Sequence, residues 1–512
     1  MLVLLLFGRL LVAAGPQETN YTADLTEARR LLESNSLRDA LEPLGRALAK
    51  NPEAPEPLWM MAVAQLQLGR YEEGFPYARR LLQVAGGQIR SRLLVATYHE
   101  VRQEDEQAAA LYRSILEEDA KNPEALQKLA LLSLRQADTR TAIESLTTIL
   151  ADYPREPRAL VPLGVAYLQS GQPSLALEKL SLAIQVDDRL SEAHHLLGSA
   201  YSEIGQWEPA HHHLDRALTL RPDDPRTLLQ KGLLHSRKEE IPQALDFFRK
   251  ARDGDPQNAL AHFHVAELLY YMKDVEKSEA EYRRAFELMP DLIVARYQLG
   301  LLLIEQARHE EALTVLSRVL ELDPDHADAL RQLGQVYDRM NQPQEARRHF
   351  EKALTLAPLS TQLHLNYGNF SMRQGDAARG RELLRRFKEL RADEDKTKEL
   401  LAATDFQPSN LGVKEELIDF LLQAERVEEA LQQAQRFLAL EPGEPRVYLL
   451  LGRAYLALDR QSEATSVLER GLRIAPDDTE LRKLIDQARR TKQKRPPGEL
   501  LHTPIETSSE GI

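Results

Sequence analysis

The chain has 512 residues, of which 43% are hydrophobic and 28% charged; 66 Lys and Arg face 79 Asp and Glu, for a net charge of −13, and there is no cysteine. This is the composition of an ordinary folded protein, and its negative charge repels a phosphate backbone, so nucleic acid is not an expected partner. The missing thiols exclude disulfides, thiolate zinc sites, iron–sulfur clusters and cysteine nucleophiles.

Residues 2–14, LVLLLFGRLLVAA, form an apolar run too short to span a bilayer as a helix. Its length suits the apolar core of a secretory signal, and Val12-Ala13-Ala14 resembles a small-residue cleavage site. Arg9 interrupts the run and no basic residue precedes it. Residues 1–20 are therefore set apart as a signal sequence or disordered N-terminus. Export to the periplasm is the expectation, and a cytoplasmic protein with an uncleaved apolar start is the alternative. No other segment is apolar enough to cross a membrane.

From residue 21 the chain repeats itself. Four weak copies come first. Asp24, Ala28, Ala40, Ala47 and Pro52 mark one; Ala62, Gly69 and Gly74 a poor second. Ala96, Ala108 and Tyr112 mark a third, stretched before Pro123, and Ala130, Ala142, Leu146 and Pro154 a fourth. From Pro157 the period is a strict 34 residues, with units starting at 191, 225, 259, 293, 327 and 361. The eighth position is then Gly164, Gly198, Gly232, Ala266, Gly300, Gly334 and Gly368. The twentieth is small as well, the twenty-fourth is large (Leu180, Leu214, Phe248, Tyr282, Leu316, Phe350, Leu384), and the twenty-seventh is mostly Ala.

Apolar residues at three- and four-residue spacing make each unit a helix, a short turn and a second helix. Small residues at positions eight and twenty let the two backbones approach, and the large residue at twenty-four fills the space beside that contact. A proline near position thirty-two falls where the second helix stops. One such hairpin cannot bury its apolar face alone, so neighbours must stack. After the eleventh copy the register breaks at ADEDKTKELLAATDFQPSN, residues 392–410, which reads as an irregular break or hinge. Two further copies follow in 411–490, carrying Ala430, Ala434 and Pro442, then Gly452, Tyr455, Ala464, Leu468 and Pro476. Residues 477–490 read as a helix capping the open end. The Pro-, Gly- and Ser-containing tail 491–512 reads as disordered.

At these residues the chain resembles the tetratricopeptide repeat family, across roughly residues 21–476. The resemblance implies an all-α fold: a right-handed α-solenoid of about thirteen hairpins, with repeats 1–11 in an array over 21–391. It also implies that positions two, five, six, nine, twelve and thirteen of the first helices line a concave groove.

Repeat eight then stands out. Val265, Ala266 and Leu269 occupy its packing face, while Leu260, Phe263, Tyr270 and Tyr271 fall on the groove side. Repeat nine adds Val294, Tyr297, Leu301 and Ile304, and repeat seven Leu229 and Leu233. Two readings stand: an aromatic-lined trough for an amphipathic or extended peptide, or coiling that hides these side chains against adjacent repeats. The sixth position forms a polar column of Gln230, His264, Gln298, Gln332 and Asn366. Amides there could bind a peptide backbone without reading its sequence, or simply suit a solvated helix face. Arg331, Arg339 and Arg373 make the next stretch basic, suited to an acidic peptide or solvated as surface arginines, with Asp328 and Asp338 nearby as partial neutralisers.

Eight histidines gather in repeats six to eight (His194, His195, His211, His212, His213, His235, His262 and His264), yet no two lie three or four residues apart on one helix, as a helical metal site wants. His235 and His262 fall in packing columns. There is no Gly-rich phosphate loop, no HExxH and no GxSxG. The sequence therefore points to a non-catalytic scaffold with a protein or peptide partner, no metal and no cofactor. Two alternatives are a self-assembling structural protein of the cell envelope and the targeting subunit of a separate transferase.

Overall fold

The 34-residue period is visible directly in where helices begin. In the computed structural model, which describes residues 16–493, first helices start at Pro55, Ile89, Pro123, Pro157, Ser191, Pro225, Ala259, Ile293, Ala327 and Thr361. The spacing is thus regular from the second repeat onward, and the third repeat is not stretched. Among the described residues there are 27 helices and no strands: thirteen helix pairs and a last single helix, Thr479–Gln493. The signal-like run 2–14 and the tail beyond Gln493 lie outside the described residues. No described helix is long and apolar enough to cross a membrane.

Each hairpin turns at position fifteen on a residue with positive φ: Gly69, Gly171, Gly205 and Gly375, and nine others including Glu239, Lys273 and Ala307. The following amide reaches back to the first helix, as Arg70 N–H does to the Gln65 carbonyl (2.9 Å). This is the left-handed stop that closes a helix and frees the chain to reverse. Because the turn is fixed by hydrogen bonds as well as by φ, most repeats tolerate a side chain there.

Inside the hairpins the small and large columns lock together. A Cβ built on Gly232 would lie 2.5 Å from the Phe248 ring; on Gly300 it would lie 2.4 Å from Leu316, and on Gly452 2.3 Å from Leu468. Repeat eight uses Ala266 instead, and the Ser278 hydroxyl donates to its carbonyl (2.8 Å). Two repeats solve the same problem differently. In repeat two the twenty-fourth position is only Ala78, and Tyr98 from repeat three fills the space, its hydroxyl donating to the Ala62 carbonyl (2.6 Å). In repeat twelve, Ile418 takes the eighth position and Ala434 the twenty-fourth, both fully buried in one core cluster. The bulky and small partners have changed places.

The expected break at 392–410 is a correction. The second helix of repeat eleven runs unbroken from Ala377 to Phe406, 30 residues against 14 in the second helices of other regular repeats, such as Pro343–Leu356. Thr397, Leu400 and Thr404 bury one side of the extension, and Arg426 ties it down by donating to the Thr397 hydroxyl (2.8 Å). The extra residues carry strong helix formers and no proline or glycine until Pro408, so nothing stops the helix. The 34-residue register then resumes at Leu411, Pro445 and Thr479.

The chain divides into two units, Met1–Pro290 and Asp291–Ile512, at the seam between repeats eight and nine. The sequence suggested one array over 21–391. In the first unit, successive repeats share core clusters, such as the one joining Leu228, Phe248 and Val265. In the second, Phe350 and Tyr367 stack at 5.4 Å across the boundary between repeats ten and eleven.

Candidate peptide-binding surface

In the first unit, the residues of repeats seven and eight expected to line a groove are only partly open. Phe263 is buried, its ring 5.0 Å from His264 and 6.1 Å from the fully buried Tyr282. Leu229 is buried too, in a cluster with Leu233 and Leu260, which are half-buried. His264 stacks on Phe248 at 5.0 Å and bonds to Glu267 (3.1 Å). It is therefore held by packing from a neighbouring repeat and departs from the amide column, of which Gln230 is half-buried. The accessible part is the end of the first helix of repeat eight: Tyr270 is half-buried with the Lys273 ammonium 5.3 Å over its ring, Tyr271 is 68% exposed and Met272 55%.

In the second unit, Tyr297 and Leu301 are half-buried. Tyr297 stacks on His326 at 5.0 Å. Burial, reinforced by the Asp328 carboxylate, raises its phenol above the ordinary range, while Gln332 and Arg331 pull the other way. Gln298, Gln332 and Asn366 are half-buried. Two of these amides accept within their own helices: Gln335 donates to Gln332 (3.2 Å) and Gln362 to Asn366 (3.0 Å), while the Asn366 Nδ2 is buried without a partner.

The basic stretch is mostly compensated. Arg331 is paired with Asp328 (3.0 Å) and Arg373 with Asp338; Arg339 is exposed. Sequence reasoning anticipated the neutralisers but not that each aspartate pairs with one particular arginine, because Asp338 and Arg373 belong to different repeats. It also missed Phe406 (85% exposed) and Leu440 (63% exposed) in repeats eleven and twelve. The only signal was an apolar residue just before the helix-ending Gln407-Pro408.

Most of the histidines are packed or hydrogen-bonded within the fold, while His212 is exposed. His195 is buried against the Thr227 hydroxyl (3.1 Å), and burial depresses its pKa to about 4. His194 and His213 meet nitrogen to nitrogen at 3.1 Å, and burial beside His194 and His212 lowers His213 to about 4. His262 is buried and bonded to Glu281 (2.5 Å); His235 is half-buried and bonded to Glu240 (2.5 Å). Among the described residues no group of three or more His, Asp or Glu is placed to hold a metal ion.

Helix pairs repeated every 34 residues, each closed by a small–large lock, define an α-solenoid repeat protein. The chain belongs to the tetratricopeptide repeat family: family profiles described as tetratricopeptide repeat match residues 25–88, 128–190, 195–259, 291–358, 331–395 and 421–488. Stacks of this family are protein-interaction scaffolds. No relative was found among curated protein sequences. Similar solved structures include a tetratricopeptide repeat protein from Parabacteroides merdae ATCC 43184 (17% identity, 49% of this chain and 99% of the other, TM-score 0.42). Another is YrrB, described as having an unusual peptide-binding site (25% identity, 36% and 94%, TM-score 0.32). A third is PilF of Pseudomonas aeruginosa (17% identity, 42% and 97%, TM-score 0.39).

Proposed function

We propose that this protein is a non-catalytic scaffold that holds a peptide or protein segment against its first helices. The observation that carries the reading is Tyr271, 68% exposed beside the half-buried Tyr270 at the end of the first helix of repeat eight. A large aromatic left open at a helix end is the residue type that anchors partners at low entropic cost. In the second unit, the half-buried Tyr297 and Leu301 offer further apolar contact. The test is selection of short peptides from a random display library on the intact protein. Selected peptides should lose at least tenfold in affinity for Tyr270→Ala/Tyr271→Ala; unchanged affinity, or no enrichment at all, sinks the reading.

A second reading is self-association, supported by Phe406 and Leu440. These exposed apolar residues belong to the same region as a 240 Å³ cleft lined by Pro408, Arg436, Phe437 and Leu440. Sedimentation at rising concentration tests it: Phe406→Glu should abolish any concentration-dependent dimer, and a persisting dimer removes this surface from consideration.

A further inference from the structure

Repeat seven breaks two packing columns at once. The seventh position of repeats two to thirteen is a buried hydrophobic residue, as in Leu163, Leu197, Val265 and Leu299, except in repeat seven, where it is Lys231, 4% exposed. The third position is Ala in repeats four to ten, except again in repeat seven, where it is the fully buried Thr227. Both exceptions face repeat six, and both meet a histidine there. The Lys231 Nζ lies 2.9 Å from the His211 Nδ1 and 2.6 Å from the Asp215 carboxylate, both on the second helix Trp207–Leu220. The Thr227 hydroxyl lies 3.1 Å from the His195 Nδ1 and donates to Asp224 (2.5 Å). His211 itself stands where repeats five and seven carry Leu177 and Leu245.

Apolar contact across this seam is correspondingly thin. Repeats five and six share a cluster that includes Leu160, Leu180 and Leu197, and repeats seven and eight the one that joins Leu228, Phe248 and Val265. Between six and seven the buried cluster is Ala210 and Leu214 with Leu234, and the half-buried Leu218 is what repeat six adds to the seven–eight cluster. Polar groups close the rest. Arg237 donates to the Ser202 carbonyl (3.3 Å) and lies 5.7 Å over the Trp207 ring, and Lys238 reaches Glu208 (3.5 Å).

Both histidine contacts need a neutral ring. An ammonium only donates, so the His211 Nδ1 accepts from Lys231 and the ring proton sits on Nε2, which is buried without a partner. A second proton on Nδ1 would remove the acceptor and set two cations 2.9 Å apart, in surroundings that screen them poorly. The other groups facing His211 do not offset this. Lys238 and His235 come from repeat seven, with His235 held by Glu240 (2.5 Å), and Asp215, on the same helix as His211, is already engaged by Lys231. Burial, then Lys231, Lys238 and His235, hold the His211 pKa below the ordinary imidazole value, with Asp215 opposing. At His195, Thr227 has given its one hydrogen to Asp224, so the imidazole donates from Nδ1 and its other nitrogen stays bare. Burial and Arg226 keep that ring neutral against the pull of Asp224.

We infer that the seam between repeats six and seven is a proton-operated hinge: neutral His211 and His195 latch Lys231 and Thr227, and protonation of these rings lets repeat seven swing away from repeat six with both hairpins intact. The open seam takes up protons that the closed seam refuses. The hinge is therefore shut above about pH 6.5, where a free imidazole is neutral, and opens progressively below it.

With no native cysteine, pairs of spin labels can be placed in the full-length protein. Glu178→Cys with Asp246→Cys spans the seam, from the second helix of repeat five to that of repeat seven. Asp246→Cys with Lys277→Cys spans the apolar seam of repeats seven and eight, and all three side chains are well exposed. Distances are read by pulsed electron paramagnetic resonance between pH 7.5 and pH 5.0, with helicity followed in parallel. The 178/246 pair should gain a second, longer population as pH falls, while 246/277 and helicity stay unchanged. Lys231→Leu/Thr227→Ala restores both columns and should hold 178/246 at its neutral distance at pH 5.0. Lys231→Met alone removes the cation with less change of volume and should keep most molecules closed. A 178/246 distance that does not respond to pH would overturn the hinge. So would the parent's full lengthening in either variant, or a lengthening of both label pairs together, which would be general acid loosening of the array.

Discussion

The Tyr98 hydroxyl, on repeat three, sits 1.9 Å from where a Cβ on Gly74, on repeat two, would be. One repeat thus borrows its filling side chain from the next: Ala78 leaves the gap, and Tyr98 enters it and bonds the Ala62 carbonyl. Tyr98 is fully buried, and that burial raises its phenol well above the ordinary range, so it stays a neutral donor. Gly74→Ala should cost about 1–3 kcal/mol by overpacking, and Tyr98→Ala about 3–5 kcal/mol by leaving a cavity. Hydrogen exchange over residues 55–118 is the measurement, since a stack of repeats need not unfold in one step. Protection in Gly74→Ala equal to the parent's would contradict the interlock.

Ile418 and Ala434 predict a reciprocal rescue. Ile418→Gly alone opens a cavity, and Ala434→Leu alone places two large side chains in one space; each should destabilise by about 1–4 kcal/mol. Together they recreate the Gly452–Leu468 arrangement of the next repeat, so the double variant should recover at least about 1 kcal/mol relative to the sum of the singles. Additive effects in a double-mutant cycle would show that the two residues do not share a space.

Much of this fold is legible in the chain because the lock is chemical and periodic: Gly232 with Phe248, or Gly300 with Leu316, is a size rule repeated every 34 residues. What escaped reading is where a neighbour supplies the missing volume. Tyr98 belongs to another hairpin, and Ile418 breaks the column that identifies a repeat. The segment 392–410 reads as irregular because its period fails, although its composition is helical as far as Phe406; losing the repeat is not losing the helix. For the candidate surface, the family resemblance implied that Phe263 and Tyr271 share the groove side of one helix. It could not show that Phe263 is buried against Tyr282 while Tyr271, one turn past the packed region, is left open.

Acid should loosen repeats six and seven before other parts of the first unit. His195, flanked by Arg226 and Asp224, and His213, flanked by His194 and His212, have folded pKa values near 4 against about 6.5 for a free imidazole. The unfolded chain therefore takes up protons that the folded chain refuses. The stability these two residues confer is complete above pH 6.5 and is lost progressively as pH falls towards 4. For the buried His195 the loss is about 3 kcal/mol. Carboxylates with depressed pKa values, such as Asp138 and Asp24, act at lower pH and do not confuse the window. Hydrogen exchange at pH 7 and pH 5, compared with His195→Gln, checks it: the variant should lose much of the pH dependence in residues 191–237. A variant with the parent's full dependence would refute the assignment.

The ion pair between Lys414 and Glu441 should respond unequally to removal of its two halves. The Lys414 side chain is 1% exposed, its ammonium 2.6 Å from the Glu441 carboxylate and 5.3 Å over the Phe437 ring, whereas Glu441 remains 28% exposed. Glu441→Gln strands a buried cation and should cost about 3–5 kcal/mol. Lys414→Met removes the cation and keeps the apolar stem against Phe437, while the carboxylate turns to water, so the cost should stay below about 1.5 kcal/mol. Thermal melting of the two single variants, read locally by exchange in residues 411–440, gives the order. If Lys414→Met proves the more damaging, then Phe437 and its neighbours hold this hairpin through the charge itself, and the packing account of repeat twelve fails.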